Sequence, residues 1–129
     1  MRKEIMRVDE VNRNGRSYSK AMVEEALKNW PKHGMPGTIG LSGESEISLG
    51  KIALIARNPA IEGNKLMADI ELMPAAKAVM KSLEKLEGKH VYVTSGVGQI
   101  NEDGQVYDYK ITSIGIVPRY ESAWETVND

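Results

Sequence analysis

Residues 90–117 constrain the fold of this chain more than any other stretch. Two strand-like runs, 90–100 and 105–117, flank Asn101-Glu102-Asp103-Gly104. Asp-Gly between strands is a strong hairpin signal, because both residues tolerate the positive φ that a type I′ turn requires. The sequence therefore predicts a long antiparallel hairpin, whose apolar face has to be buried against other elements.

Those other elements are legible in outline. A further hairpin pairs residues 47–56 with 65–72, joined across Asn58-Pro59 and Glu62-Gly63-Asn64. An opening strand occupies residues 5–11 and leads into the turn signature Asn12-Arg13-Asn14-Gly15. Ser19 is placed to cap a helix over residues 20–30, with Glu24 and Glu25 in its early turns. Met22, Val23, Ala26, Leu27 and Trp30 form one stripe at helical spacing, and Pro31 and Gly34 end it. A Gly/Pro/Ser-rich passage over 34–48 holds a short strand at 38–41. Pro74 opens a second helix that runs to Glu87, and Gly88 stops it. Val79, Leu83 and Leu86 are its expected buried face. The tail from Pro118 onward reads as irregular, anchored by Trp124. About six strands and two helices make a β-rich α+β fold, a partly closed antiparallel barrel with flanking helices, in one domain spanning residues 1–129.

Composition narrows the function classes. The 129 residues carry a formal charge of -1, and the densest basic cluster is Arg2-Lys3, so no basic face for nucleic acid is expected. The absence of cysteine removes disulfides, thiolate metal sites and cysteine nucleophiles. No apolar run has the length of a membrane span, and Met1-Arg2-Lys3-Glu4 leads into no signal-peptide core. Phe is absent, so Met, Ile, Val and Leu fill the core with Trp30, Trp124 and the tyrosines.

Chemistry-bearing residues are few. His33 lies in the helix-ending loop Pro31-Lys32-His33-Gly34 and reads as an exposed loop residue. His90 opens the strand that contains Ser95. Side chains alternate along a strand, so these two point to opposite faces, about 16 Å apart along it. A general base has to lie within roughly 3 Å of the hydroxyl it deprotonates, which excludes His90. No metal site is expected: the histidines are isolated, and Glu44, Glu46 and Glu62 do not form a calcium loop. Gly96-Val97-Gly98 lacks the third glycine and the helix of a phosphate fingerprint, and strand glycines more often mark a bulge or close backbone approach. No cofactor is expected.

Several motifs, in order, resemble the prohead (capsid-maturation) proteases of tailed phages, in particular their T4-type branch. Asn12-Arg13-Asn14-Gly15-Arg16-Ser17-Tyr18-Ser19-Lys20 resembles that family's opening "N-x-N-x-R-x-Y-P-K" element. Glu62-Gly63-Asn64-Lys65-Leu66 is similar to its "W-x-G-N-x-x-Y-G" hairpin, and the helix at Pro74 to its "P-x-G-K" helix. Val93-Thr94-Ser95-Gly96-Val97-Gly98 is similar to the "V-S-S-R-G-x-G" nucleophile strand, and Ser122-Ala123-Trp124 to a closing "P-x-A-W". The matches run from about Val8 to Trp124, and their shared order carries the resemblance.

The resemblance implies the serine-protease barrel shared with herpesvirus assemblins, with Ser95 at the nucleophile position and a histidine from a "G-E-L-x-H-P" segment. Here the corresponding stretch, Gly40-Leu41-Ser42-Gly43-Glu44-Ser45-Glu46, holds no histidine, nor does Ser48-Leu49-Gly50-Lys51. The arginine after the serine pair is also missing. Removing one member of such a constellation costs several orders of magnitude in rate. Glu44 or Glu46 as a base takes little share of a proton at neutral pH. Ser95 is thus expected to be a vestigial nucleophile, with no catalytic residue, and His33 to matter only if the chain were active.

The expectation is a structural protein of the phage head, a decoration or cement protein contacting the major capsid protein, copies of itself, or both. Trp30, Trp124 and Met35 are candidate adhesive residues, with core packing the commoner use of tryptophan. An active maturation protease using Ser95 is the alternative, and a small α+β binding module of chance resemblance is the third reading.

Overall fold

The computed structural model describes residues 1–40 and 49–124. One six-stranded sheet has the order β1-β4-β3-β2-β6-β5, with β1 Arg2–Arg7, β2 Met35–Ile39, β3 Leu54–Glu62, β4 Lys65–Leu72, β5 His90–Ile100 and β6 Val106–Pro118. The sheet curls until β1 and β5 approach each other without a ladder between them, giving a half-barrel. The helices are α1 Lys20–Leu27 and α2 Pro74–Glu87. The expected β-rich barrel with two flanking helices is therefore the fold observed, with one refinement. β2 runs parallel to β6, while the other ladders are antiparallel.

Bulges set which side chains face inward. β1 is shifted against β4 between Glu4 and Met6, and Ile5 and Met6, adjacent in sequence, are both buried. β1 begins three residues earlier than expected and ends at Arg7, where the chain turns through Asp9 at φ 57°. Asn58-Pro59 is not part of a hairpin loop but a bulge inside β3, with Asn58 at φ 53°. Proline has no N–H to give a ladder, so a bulge is where a strand accepts it. The hairpin closes instead over Gly63-Asn64, between the paired Glu62 and Lys65. β3 starts at Leu54, after a 3-10 turn at Leu49–Lys51, rather than at residue 47; residues 47 and 48 lie outside the described residues.

Both helix starts are where the sequence puts them. The Ser19 hydroxyl accepts from the Met22 N–H, and Pro74 opens α2 after Met73. α1 stops at Leu27 rather than Trp30, because Lys28, Asn29 and Trp30 donate three residues back, to Glu25, Ala26 and Leu27, in a tightened last turn. α2 runs to Glu87, and Gly88 at φ 82° stops it. Its buried face differs from the expected one except at Leu83, which is half-buried. Ala76 and Met80 are buried, whereas Val79 is 47% and Leu86 84% exposed. Both stripes have helical spacing, so periodicity alone cannot choose between them.

The main core joins Ile5, Met6, Val23, Leu54, Leu66 and Ile114 with their neighbours. Met35 (3% exposed) and Trp124 are in this core, and Trp30 packs against it with its indole N–H donated to the Ala56 carbonyl. None of the three is a free adhesive side chain. The motif residues near the two ends of the chain meet in space. Tyr18 lies edge-on to Tyr109 at 5.0 Å and tilted to Trp124 at 6.0 Å, and Arg13 N–H donates to the Ala123 carbonyl. The Asn12 side chain accepts from the Asn14 and Arg16 N–H groups, folding the turn that carries Tyr18. No helix among the described residues is long and apolar enough to cross a membrane.

Candidate functional site

β5 carries the residue of interest. Its register with β6 is unbroken from His90↔Pro118 to Ser95↔Ser113. Over this span His90, Tyr92 and Thr94 take one face, and Val91, Val93 and Ser95 the other, as alternation requires. Tyr92 joins the main core, while Val91, Val93 and Val117 form a separate buried cluster. Ser95 is thus on the reverse face of the sheet from the core, half-buried, at the edge of a small valine patch.

Residues paired directly across an antiparallel ladder share a face, so Ser113 stands beside Ser95. Ser113 is fully buried and its hydroxyl has no hydrogen-bond partner. The next rows continue the same face. Gly115 lies between Val93 on β5 and Thr38 on β2, and the Thr38 hydroxyl donates to the Gly40 carbonyl at 2.9 Å. Among the described residues, the neighbours of Ser95 on this face are hydroxyls, valines and a glycine. The Ser95 carbonyl accepts from the Thr112 hydroxyl at 3.2 Å, on the residue that β6 bulges out.

Immediately after Ser95 the ladder breaks, between Ser95 and Gly96 and again between Val97 and Gln99. A Cβ on Gly96 would collide with the Lys110 carbonyl and the Tyr109 ring. Gly96 and Gly98 are there for close packing of a strand and an aromatic ring, the use expected of strand glycines. Burial pushes the Tyr109 hydroxyl up to about 12. The loop at the hairpin's end has a positive φ at Gly104 but not at Asp103, so it is a three-residue loop rather than type I′. Its Asn101 side chain accepts from the Asp103 and Gln105 N–H groups.

The two histidines are both placed. His33 is exposed in the turn that Gly34 closes onto the Pro31 carbonyl, and Gly34 packs on Ile55, Ala56 and Arg57 of β3. His33 comes two residues before β2, and only β6 lies between β2 and β5, so His33 is two strand spacings from Ser95, about 10 Å across the sheet. His90 is buried, with Nδ1 3.0 Å from the Gly88 carbonyl oxygen and Nε2 3.0 Å from a Glu87 carboxylate oxygen. It belongs to the corner between α2 and β5. Glu44 and Glu46 lie outside the described residues. Among the described residues no three His, Asp or Glu side chains gather as a metal site.

Ser113 was not singled out from sequence. Its pairing with Ser95 depends on two bulges, beside Gly96 and Gly98, which shift the register set by the hairpin loop; the strand glycines signal irregularity there but do not fix which residue ends opposite Ser95.

No family model matches the sequence, and no curated protein matches it. Among solved structures, the fold is similar to that of the bacteriophage T4 capsid assembly protease, gp21, with a TM-score of 0.74. The match covers 90% of this chain and 79% of that chain at 17% sequence identity. The six-stranded half-barrel and its two helices are thus a prohead-protease-like fold, the fold of the T4 capsid assembly protease.

Proposed function

We propose that this chain is a structural protein of a phage head, a decoration or cement protein built on a capsid-protease fold that no longer cuts. Its partner is the shell of the major capsid protein, with or without further copies of itself. One observation supports the reading: His90 is engaged by Glu87 and Gly88, and His33 sits in the exposed turn before β2, with β6 between that strand and the one carrying Ser95. A serine hydroxyl without an adjacent histidine is a poor nucleophile. The fold supports association with a phage head, and the histidine-free surroundings of Ser95 support a role other than proteolysis. Capsids stripped of the protein and incubated with purified chain test it. Stoichiometric rebinding to the outer shell is the expected result, and no rebinding would sink the reading.

A second reading, an active maturation protease, is favoured by the serine itself, which stands where the resemblance puts the nucleophile. It would need a carboxylate base such as Glu44 or Glu46. Ser95→Ala separates the two. Heads that mature normally and carry the variant support decoration, whereas accumulation of uncleaved capsid protein supports the enzyme.

A further inference from the structure

At the open seam of the half-barrel, under α2, the structure forms a second surface of distinct chemistry. A cavity of about 300 Å³ lies between the β1 and β5 edges and the helix. Its rim carries Lys3 from β1, Lys77 and Lys81 from successive turns of α2, and Lys89 ahead of β5. Its apolar floor is Leu72, Met80 and Tyr92. Glu84 is the one carboxylate among its lining residues, and the buried His90 ring sits at its edge, already engaged by Glu87 and Gly88. The terminal ammonium of Met1 donates to the Ile70 carbonyl beside it.

Arg2, Arg7 and Arg57 each hold a carboxylate at 2.6–2.9 Å. Lys3, Lys77 and Lys81 make no ion pair among the described residues, in a chain whose formal charge is -1. These three ammonium groups, around an apolar floor in a concave site, concentrate positive potential where water is partly excluded. A larger cleft, about 720 Å³ between α1 and the β5–β6 hairpin, has no such excess. Its carboxylates are engaged, Asp9 by the Lys20 N–H and Glu10 by Arg7 and Asn64.

We infer that the seam cavity is a docking site for an acidic peptide segment of the shell protein, one apolar side chain seated on Leu72, Met80 and Tyr92 and flanking carboxylates held by Lys3, Lys77 and Lys81. The volume suits one apolar side chain and the adjoining main chain, and the charge selects for acids on either side. The identity of the partner rests on the decoration reading; the chemistry of the site does not.

Fluorescence polarisation of the full chain with a fluorescein-labelled Glu-Glu-Leu-Glu-Glu peptide tests the site directly. The expected result is saturable binding that weakens with salt and falls about tenfold in Lys77→Ala/Lys81→Ala. Lys32→Ala/Lys110→Ala, which removes the same charge elsewhere, leaves it unchanged. Both pairs are exposed, so circular dichroism should show the same fold for each. Replacing the central Leu of the peptide by Gly costs a similar factor. Absence of saturable binding, equal binding of the Gly peptide or of a labelled oligothymidylate, or equal loss in both variants overturns the proposal. Shell rebinding separates the two readings. If wild-type chain rebinds and Lys77→Ala/Lys81→Ala rebinds equally, the cavity is not the contact and decoration stands. If wild-type chain does not rebind, decoration fails, and the peptide result alone decides the cavity.

Discussion

Ser95 on β5 stands directly across the ladder from Ser113 on β6, and the Ser113 hydroxyl is fully buried without a hydrogen-bond partner. A buried hydroxyl left unpaired costs about 1–3 kcal/mol relative to one that is satisfied. Ser113 is therefore a local cost to folding. Ser113→Ala is expected to leave stability unchanged or to raise it by about 1 kcal/mol, measured as the urea midpoint at constant m-value. A loss beyond about 1 kcal/mol would show that the hydroxyl is bonded in solution.

The glycine after Ser95 has the opposite character. Gly96→Ala drives a Cβ into the Lys110 carbonyl and the Tyr109 ring, neither of which can move without opening the β5–β6 ladder. A destabilisation of about 1–3 kcal/mol is expected, the usual size for overpacking. Gly50→Ala is the control. Among the described residues no atom lies within 4 Å of a Cβ built there and its φ is not positive, so its unfolding midpoint should hardly move.

Tyr109 makes stability fall in alkali. Its folded pKa of about 12 is raised above the value near 10 of an unfolded tyrosine, chiefly by burial. A raised pKa means that the neutral form is favoured by folding, so the contribution is complete below about pH 10 and is lost as pH rises toward 12. Burial raises Tyr18 and Tyr92 in the same direction. Tyr109→Phe should reduce the stability lost between about pH 10 and 12 by some 2 kcal/mol, without abolishing it. Urea midpoints of the two proteins across that range test this, and parallel curves would refute it.

Helix α2 gives a comparison between two residues with apolar side chains. Met80 is buried in the main core, while Leu86 projects into solvent at 84% exposure. Met80→Ala is expected to cost about 2–5 kcal/mol, the range for truncating a core side chain. Leu86→Ala should stay within about 0.5 kcal/mol, as surface changes do. Thermal melts of the two variants distinguish this orientation of the helix from one that buries Val79 and Leu86.

What the sequence could specify was local. Ser19, Pro74 and Gly88 mark helix ends because a cap or an αL residue acts within about four residues of itself. The strand limits of the β5–β6 hairpin, and the opposed faces of His90 and Ser95, follow from turn chemistry and alternation in the same way. The order of the motifs pointed to the barrel, although each motif residue turned out to serve packing: Tyr18 and Trp124 meet in one cluster, and Gly96 makes room for Tyr109.

The rest depended on partners distant in the chain. Val79 and Leu86 match helical spacing as well as Ala76 and Met80, and only the sheet beneath α2 decided which stripe was buried. The parallel pairing of β2 with β6 put Thr38 and Gly115 in one row with Val93, and the bulges beside Gly96 and Gly98 put Ser113 opposite Ser95. The lysine rim draws on β1, α2 and the start of β5, elements tens of residues apart that meet only where the half-barrel stays open. The sequence by itself determined where elements begin, which residue could be a nucleophile, and that no third histidine exists. Tertiary structure decided which face each residue occupies and what stands next to it, because burial and charge are shared among elements that no local signal connects.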